Sequence, residues 1–360
     1  MKKRICLSML ITALLLVSVT ACASPHEPAN KETEESKAPA ANHDTVTAAA
    51  ETAAETAAET AGETDAETET TVETEPETEE ILVYSEGLKF AENGDGTYSV
   101  KGLGVCKDRV VVIPPEFNGG AVTCISRNAF AMKKTIQRVV IPDSVTTIEP
   151  KAFSGCSMTE VDIPQSVTSI GHGAFSVCYA LKRVTIPGSV TEIGEQAFRG
   201  CGSLTELVVE SGVTSLGVET FWECSALTSV TLPDTLREIG KWAFANCSSL
   251  EEITLPEGLV TIEEFAFGGC TSLTGLVIPH GVTRLERSII TECESLTYIV
   301  IPHSVTYMNS PFGEFSGLRD VYFTGTEEQW NAIEGSHELI NPPLFLNNFD
   351  HIYSRVFLLL

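Results

Sequence analysis

The stretch that decides the fold covers residues 165–187 and reads Q-S-V-T-S-I-G-H-G-A-F-S-V-C-Y-A-L-K-R-V-T-I-P. Edited copies of this stretch occupy residues 188–210, 211–233, 234–256, 257–279 and 280–302, with a 22-residue copy at 143–164 and a degenerate copy at 303–324. A period near 23 residues that persists over most of a chain is typical of a solenoid.

A single repeat is too small to fold alone. In residues 188–210, the segment 204–209 alternates apolar and other residues, which predicts a strand with one buried face. Residues 190–193 predict a second short strand or an extended turn, and residues 194–201 predict a tight helical turn that seats Phe198. Burying about seven apolar side chains contributes roughly 10–20 kcal/mol, whereas ordering the backbone costs roughly 23–46 kcal/mol. Stability must therefore come from the interfaces between stacked repeats.

The consensus I-P-x-S-V-T-x-I-G-x-x-A-F-x-x-C-x-S-L-x-x-V-x-I-P resembles the BspA-like, or Treponema-type, leucine-rich repeat of bacterial surface lipoproteins. The resemblance covers about residues 88–354, and it is specific because many copies agree in residue type and spacing. It implies a mainly β fold, a right-handed leucine-rich-repeat β-solenoid of about nine repeats of 22–23 residues. It implies little about a ligand, because members of the family display different outer residues.

The N-terminal 80 residues carry targeting signals and a low-complexity segment. Residues 1–21 are basic and then apolar, which predicts a signal peptide. The ending Val19-Thr20-Ala21-Cys22 resembles a lipobox, which implies lipidation of Cys22 and a location on the outer face of a bacterial membrane, at the cell surface. An ordinary signal peptide with an incidental cysteine is the alternative. Residues 22–80 are rich in Glu, Thr and Ala and lack aromatic residues, so we expect a disordered acidic stalk.

Caps are predicted at both ends of the repeats. Residues 81–113 form the N-terminal cap, in which Asn93-Gly-Asp-Gly96 predicts a hairpin that turns Leu88, Phe90, Tyr98 and Val100 toward the first repeat. Residues 114–324 form the solenoid, with a loop inserted at 116–120. Residues 325–360 form the C-terminal cap and tail: a short helix with Thr326 as N-cap, whose Trp330 and Ile333 fold back, and a last strand at 351–353.

Composition argues against two classes of partner. The formal net charge of the 360 residues is −26, which disfavours nucleic acid, since that binding needs Lys and Arg to neutralise phosphates. The same charge disfavours adsorption to anionic lipid, so contact with a membrane is expected only through the lipid on Cys22. The negative charge is unevenly distributed along the chain, because residues 23–80 carry 17 acidic residues and only two lysines.

Stacking turns each repeat position into a column with a rise of about 4.8 Å. One column holds seven cysteines, Cys156, Cys178, Cys201, Cys224, Cys247, Cys270 and Cys293. Disulfides or a chain of metal sites are disfavoured there, because stacked Cβ atoms point in parallel and C-x-x-C spacing is absent, so we expect small buried side chains. A bridge between Cys106 and Cys124, which lie off the column, remains conceivable. A second column forms a phenylalanine spine: Phe130, Phe153, Phe175, Phe198, Phe221, Phe244 and Phe267.

Two groups of outward-facing residues are candidates for ligand binding. The first lies on the long strands at the C-terminal end of the stack and contains Val277, Tyr298, Val300 and Tyr322. Exposed aromatic residues beside aliphatic ones are what protein-binding patches use. The second, on the turn edge, contains Trp222, Trp242 and Phe265. The alternative for the first is that Val and Thr simply suit a strand surface, and for the second that the rings pack on neighbouring turns.

Motifs for catalysis are missing from the sequence. Patterns such as G-x-S-x-G, H-E-x-x-H and G-x-x-x-x-G-K-[ST] do not occur, and we expect no enzyme activity, no cofactor and no metal. His280 and His303 share a column but have no evident third ligand. Two functions remain: a surface-anchored module that recognises an extracellular protein or glycan, which the family resemblance links to adhesion to host or bacterial surfaces, and a scaffold lipoprotein that organises envelope partners without a host ligand.

Overall fold

The computed structural model describes residues 83–313, 318–335 and 344–346. The predicted signal peptide, Cys22 and the whole predicted stalk lie outside these residues, as do the predicted strand at 351–353 and the tail at 356–360. The described residues belong to one compact unit, Pro76–Leu360. They form a mainly β solenoid of about ten turns, as the sequence predicts.

The solenoid is built from short strands and one helix. In chain order these are β1 (Lys89–Glu92), β2 (Tyr98–Gly102), β3 (Val110–Val112), β4 (Glu116–Phe117), β5 (Gly120–Ile125), β6 (Arg138–Val140), β7 (Thr147–Ile148), β8 (Glu160–Asp162), β9 (Ser169–Ile170), β10 (Arg183–Ile186), β11 (Glu192–Ile193), β12 (Glu206–Val209), β13 (Ser215–Leu216), β14 (Ser229–Thr231), β15 (Glu238–Ile239), β16 (Thr261–Ile262), β17 (Gly275–Val277), β18 (Arg284–Leu285), β19 (Tyr298–Ile301), β20 (Tyr307–Met308), β21 (Asp320–Phe323), α1 (Glu327–Asn331), β22 (Glu334–Gly335) and β23 (Leu344–Leu346).

The repeats contribute strands to two stacks of parallel strands, one of longer strands and one of two-residue strands. The longer strands form three sheets, β3-β6-β8, β10-β12-β14 and β17-β19-β21-β23. The two-residue strands continue from the cap as β1-β2-β5-β7-β9-β11, followed by β13-β15-β16 and β18-β20-β22. The register advances by one repeat at each step, so that Arg183 pairs with Glu206 and Glu206 pairs with Ser229. Equivalent residues therefore stand in columns, as the period predicts.

The third side of each repeat is a series of turns, and the predicted helical turn at 194–201 is wrong. Backbone N–H groups alternate in their partners: Ala197 donates to Gly194 within its own turn (3.2 Å), whereas Phe198 donates to Thr220 of the next repeat (2.9 Å). A helix would direct every one of these N–H groups along its own axis. Half of them are instead bonded to the neighbouring repeat, which fixes the spacing of the stack.

The phenylalanine column is a continuous spine of buried rings. The spine residues are all 0% exposed. Neighbouring rings from Phe130 to Phe267 are stacked with centroids 5.0 to 5.7 Å apart, which is the range in which offset aromatic pairs attract. Ile290 takes the next position of the column and is also buried. The predicted core spine is confirmed.

The cysteine column is buried and reduced. All seven of its cysteines are free thiols inside the core, as predicted. Each thiol donates to the carbonyl oxygen of the phenylalanine one repeat earlier; for example, Cys201 Sγ lies 3.3 Å from Phe175 O. Cys106 and Cys124 are free and half-buried. Cysteine therefore suits this column because it is small, apolar and still a weak donor.

A hairpin precedes the first repeat and a short helix follows the last one. Strands β1 and β2 pair antiparallel, and Leu88 and Val100 are buried against the first repeat. The insertion at 116–120 is a second hairpin rather than a loop, since β4 pairs antiparallel with β5, and Phe117 stacks on Phe90 with centroids 4.1 Å apart. It thereby extends the cap over the open end of the core.

The C-terminal helix α1 begins with a capping box. Thr326 Oγ1 accepts the backbone N–H of Gln329 (3.2 Å), and Gln329 Oε1 accepts the backbone N–H of Thr326 (2.9 Å). Trp330 and Ile333 are buried, as predicted. Strand β23 pairs in parallel with β21. These elements cover the end of the core.

The burial of the cysteine column predicts its chemical reactivity. Burial raises the pKa of the Cys224 thiol to about 12, and that of Cys156 to about 11. A raised pKa means that the thiol stays protonated at about pH 8, where the nucleophilic thiolate would be needed. We expect the seven column cysteines to resist Ellman's reagent or iodoacetamide in the folded chain and to react on unfolding in urea, as measured by peptide mass spectrometry. Equally fast labelling of these peptides with and without urea would contradict the fold.

Candidate recognition surface

The long strands present one face to the core and one face outward. In β19, Ile299 and Ile301 are fully buried in the core, so Tyr298 and Val300 point to the opposite face. The parallel register places Val277, Val300 and Tyr322 side by side in one outer row. Tyr298 lies in the adjacent row, between Gly275 and Asp320. The structure thus brings the four predicted residues of the first group together on three neighbouring strands.

Exposure differs within this group, which we call the tyrosine patch (Val277, Tyr298, Val300 and Tyr322). Val277 is 41% exposed, and the two tyrosines are half-buried. The expectation that Val300 is exposed is wrong, since it is only 7% exposed although it lies outside the core cluster. Its neighbours in the row stand about 4.8 Å away on both sides, and side chains at that spacing cover one another. The accessible part of the patch is Val277 and the two tyrosines.

The turn-edge aromatic residues pack on one another. Trp242 and Phe265 stack in parallel with centroids 4.3 Å apart, and Trp222 lies 6.2 Å from Trp242 at a tilt of 45°. The Arg199 guanidinium carbon is 3.9 Å from the centroid of the Trp222 ring, a cation–π contact. All three rings are half-buried. The structure therefore joins the second predicted group into one ladder that stabilises adjacent turns.

The backbone under this ladder adopts the left-handed region, but the rings are not the cause. Trp242 and Phe265 have φ values of 59°. A positive φ is unfavourable for a bulky residue and often marks a functional position. The same position in other repeats also has positive φ; the residues are Lys151, Gly173, Gln196, Glu219 and Ser288. The turn geometry sets the conformation, so it carries no separate sign of function.

Ion pairs join neighbouring repeats across the surface. Arg138 Nη2 lies 2.7 Å from Asp162 Oδ2, and Lys241 Nζ lies 2.6 Å from Glu264 Oε2. The hydrogen bond and charge of Asp162 raise the pKa of Arg138. Exposed pairs of this kind contribute little stability.

His280 and His303 lie with ring centroids 5.2 Å apart. In the described ranges, no group of three or more His, Cys, Asp or Glu side chains is arranged to hold a metal ion.

One feature of this face was missed by the sequence reasoning. The repeat at 234–256 has no long strand, so the sheets on its two sides end at β14 and begin again at β17. A groove of about 290 Å³ opens at this gap, and Glu252, Leu255, Val277 and Tyr298 are among the residues that line it. The apolar alternation of residues 250–255 matches that of the paired repeats, so the sequence gives little signal of the gap.

Comparison with known families decides the identity of the repeats. The model of the BspA-type leucine-rich repeat region, in six copies, matches residues 117–228 and 214–334, which together span more than half of the chain. The chain belongs to this family. The solenoid of this BspA-type chain and its row of outer residues are consistent with a protein-interaction module, and proteins of this fold and family are typically non-enzymatic.

Several solved structures are similar to this chain. The BspA-type chain is similar to a leucine-rich repeat protein from Bacteroides ovatus, with 25% identity and a TM-score of 0.50 over 74% of this chain and 76% of that chain. A T. pallidum leucine-rich repeat protein is 25% identical over 47% of this chain and 90% of that chain, with a TM-score of 0.41. A leucine rich cell surface protein from Faecalibacterium prausnitzii is 24% identical over 70% of this chain and 97% of that chain, with a TM-score of 0.36. No curated protein matches the BspA-type chain.

None of the helical segments in the described part of the BspA-type chain is both long and apolar enough to cross a bilayer.

The turn-edge ladder predicts an unusual response to mutation. Trp222 Nε1 is buried and, within the described residues, has no hydrogen-bond partner. Trp222→Phe removes that unpaired N–H and keeps a ring under Arg199, so we expect the free energy of unfolding to change by less than about 1 kcal/mol. Trp222→Ala removes the ring and should cost about 2–4 kcal/mol. Urea denaturation of the two variants measures the difference; an equal loss in both would show that the indole N–H is satisfied.

Proposed function

We propose that this protein is a cell-surface recognition module that binds an extracellular protein through its solenoid, in adhesion to host or bacterial surfaces. The observation that carries the proposal is the tyrosine patch, in which an exposed valine and two half-buried tyrosines adjoin on neighbouring strands. Tyrosine is enriched at binding hot spots because it offers a large apolar ring with a polar tip. Elsewhere in the same two outer rows, the residues are mostly Arg, Glu, Asp, Ser and Thr.

Attachment to the outer face of a bacterial membrane is part of the proposal. The lipobox-like ending at Cys22 supports lipid attachment, and the 17 acidic residues of the segment 23–80 support an extended stalk. At this length a flexible chain spans about 40–45 Å r.m.s., which holds the repeats clear of the membrane. A glycan ligand is a variant of the same function. The second candidate, a scaffold lipoprotein of the cell envelope, needs the same anchor but no host ligand.

The anchor can be tested separately from the ligand. In a bacterial host fed with labelled palmitate, we expect the full chain to incorporate label and to partition into detergent, because the Cys22 thiol accepts the lipid. Cys22→Ser should abolish both. Cys6→Ser is the matched control, since Cys6 lies inside the predicted signal peptide. Persistent labelling of Cys22→Ser, or no labelling of either protein, would contradict lipid anchoring at this residue.

The ligand-binding surface is tested on the purified full chain against arrayed extracellular-matrix proteins, mucins and whole bacterial cells. We expect saturable binding that weakens about thirtyfold or more when Tyr298 and Tyr322 are both changed to Ser, as for hot-spot residues. The melting temperature should fall only slightly, since neither ring is in the core cluster.

The matched control is Tyr179→Ser, which removes a 61% exposed tyrosine elsewhere on the chain. It should leave both binding and melting temperature unchanged. Undiminished binding by the double variant would remove the tyrosine patch from the function. An absence of binding to every arrayed surface would favour the envelope scaffold, whose partners would then be sought by cross-linking on the native cell.

A further inference from the structure

The gap between β14 and β17 leaves backbone groups without their usual partners. In the described chain, none of the N–H groups of residues 252–255 donates to a backbone carbonyl, whereas the equivalent Ser229 and Glu206 donate to the preceding repeat. The hydrogen bonding resumes at Thr274, whose N–H donates to Glu251 O (3.0 Å). The strands are therefore splayed at this repeat, which has no long strand of its own, and the space between them forms the groove.

We call this space the Glu252 groove; the residues that line it include Glu252, Leu255, Glu257, Val277 and Tyr298. Its tyrosine wall depends on a glycine. A Cβ atom built on Gly275 would overlap the ring of Tyr298, so that ring lies over the bare backbone of β17. Every other outer position in this row carries a side chain, from Arg138 to Asp320. Because Gly275 has no side chain, the Tyr298 ring packs against the backbone of β17 and forms one wall of the groove.

The charged side chains that line the groove are all acidic. Glu252 and Glu257 are exposed, and in the residues the structure covers neither has a Lys, Arg or His nitrogen within 4.0 Å. Some carboxylates elsewhere on the surface are paired, such as Glu264 with Lys241 and Glu219 with Arg199, whereas others, such as Glu160, have no ion pair within the described residues. The residues that line the groove include no basic side chain. The groove thus offers two unpaired negative charges beside an aromatic ring.

The rest of the lining is mainly apolar, with the hydroxyl-bearing Thr254 and Thr274 beside Leu255 and Val277. Leu255 is 8% exposed at the floor, and Val277 is 41% exposed at the side. A ligand that fits must carry both an aliphatic part and a cation, which is the composition of the long basic side chains. Arginine fits better than lysine, because its planar guanidinium stacks on an aromatic face and can bind a carboxylate with two parallel hydrogen bonds.

We propose that the Glu252 groove binds an arginine side chain presented by an extended segment of the protein partner. The aliphatic stem lies on Leu255 and Val277, and the guanidinium lies between Glu252, Glu257 and the Tyr298 ring. This inference rests on the proposed function, since it names the chemistry of the partner that the tyrosine patch recognises. The net charge of −26 fits a basic partner and opposes a second copy of the same chain.

The test uses the purified full chain and fluorescent decapeptides of Gly and Ser that carry Arg, Lys, citrulline or Glu at the centre. Fluorescence anisotropy at low ionic strength measures their binding. We expect the arginine peptide to bind most tightly, and citrulline, which has the same shape without the charge, to bind at least about fivefold more weakly. Glu252→Gln should weaken the arginine peptide by about threefold to fivefold. Equal binding of arginine and citrulline peptides would overturn the proposal.

Two variants separate the groove from general negative charge. Glu160→Gln is the matched control, because Glu160 is exposed and occupies the same outer row on the paired strand β8. It should leave binding unchanged, and a loss equal to that of Glu252→Gln would overturn the proposal. Gly275→Ala displaces the Tyr298 ring without removing a charge and should also weaken the arginine peptide. If Gly275→Ala unfolds the chain, the comparison of arginine-peptide binding by Glu252→Gln and Glu160→Gln still tests the proposal.

Failure here is distinguishable from failure of the proposed function. If an arrayed protein binds through the two tyrosines but the peptides do not discriminate arginine, the recognition module stands and the groove has another role. If the arginine peptide binds as expected but no arrayed surface does, the groove stands and the partner belongs to the cell envelope. Each experiment therefore has its own readout.

Discussion

The bonding of each repeat to its neighbours is the constraint on which the rest of the structure depends. The Phe198 N–H is satisfied by Thr220 of the following repeat, and the Phe175 carbonyl accepts the thiol of Cys201 from the following repeat. A single repeat would leave these groups unpaired in an apolar core, which is costly. The same dependence explains why the rings of the spine stack at nearly constant spacing and why both ends need caps.

This constraint divides the residues into two kinds. Inward columns are fixed, because the spine rings and the column cysteines must fit the same space in every turn. Outward positions have no such requirement, and in this chain they range from Arg138 through Glu160 to Gly275 and Tyr298. A solenoid can therefore change its surface repeat by repeat without changing its core. The Glu252 groove is an extreme case, in which one repeat has lost its strand while its core residues, such as Phe244 and Cys247, remain fully buried.

Electrostatics follows the same division. Charged residues lie outside the spine, and some of them pair with residues one repeat away, as Arg138 does with Asp162. Such pairs are exposed and contribute little to folding, but they determine which carboxylates remain available to a partner. In the described part of the stack, Glu252 and Glu257 are among those without a paired cation. Recognition by this fold therefore depends on which outer residues are left unpaired, and stability depends on the inner ones.

The sequence by itself determined the solenoid, its period, the Phe198 and Cys201 columns and the position of both caps, because these follow from apolar residues that recur at fixed spacing and from local turn and capping signals. Thr326, Trp330 and Ile333 were read correctly for that reason. Only the tertiary structure decided how far each outer residue is exposed, the turn geometry at 194–201 and the gap at residues 252–255. Those features depend on contacts between repeats, such as the rows that cover Val300 and the Tyr298 ring over Gly275, and no spacing within one repeat encodes them.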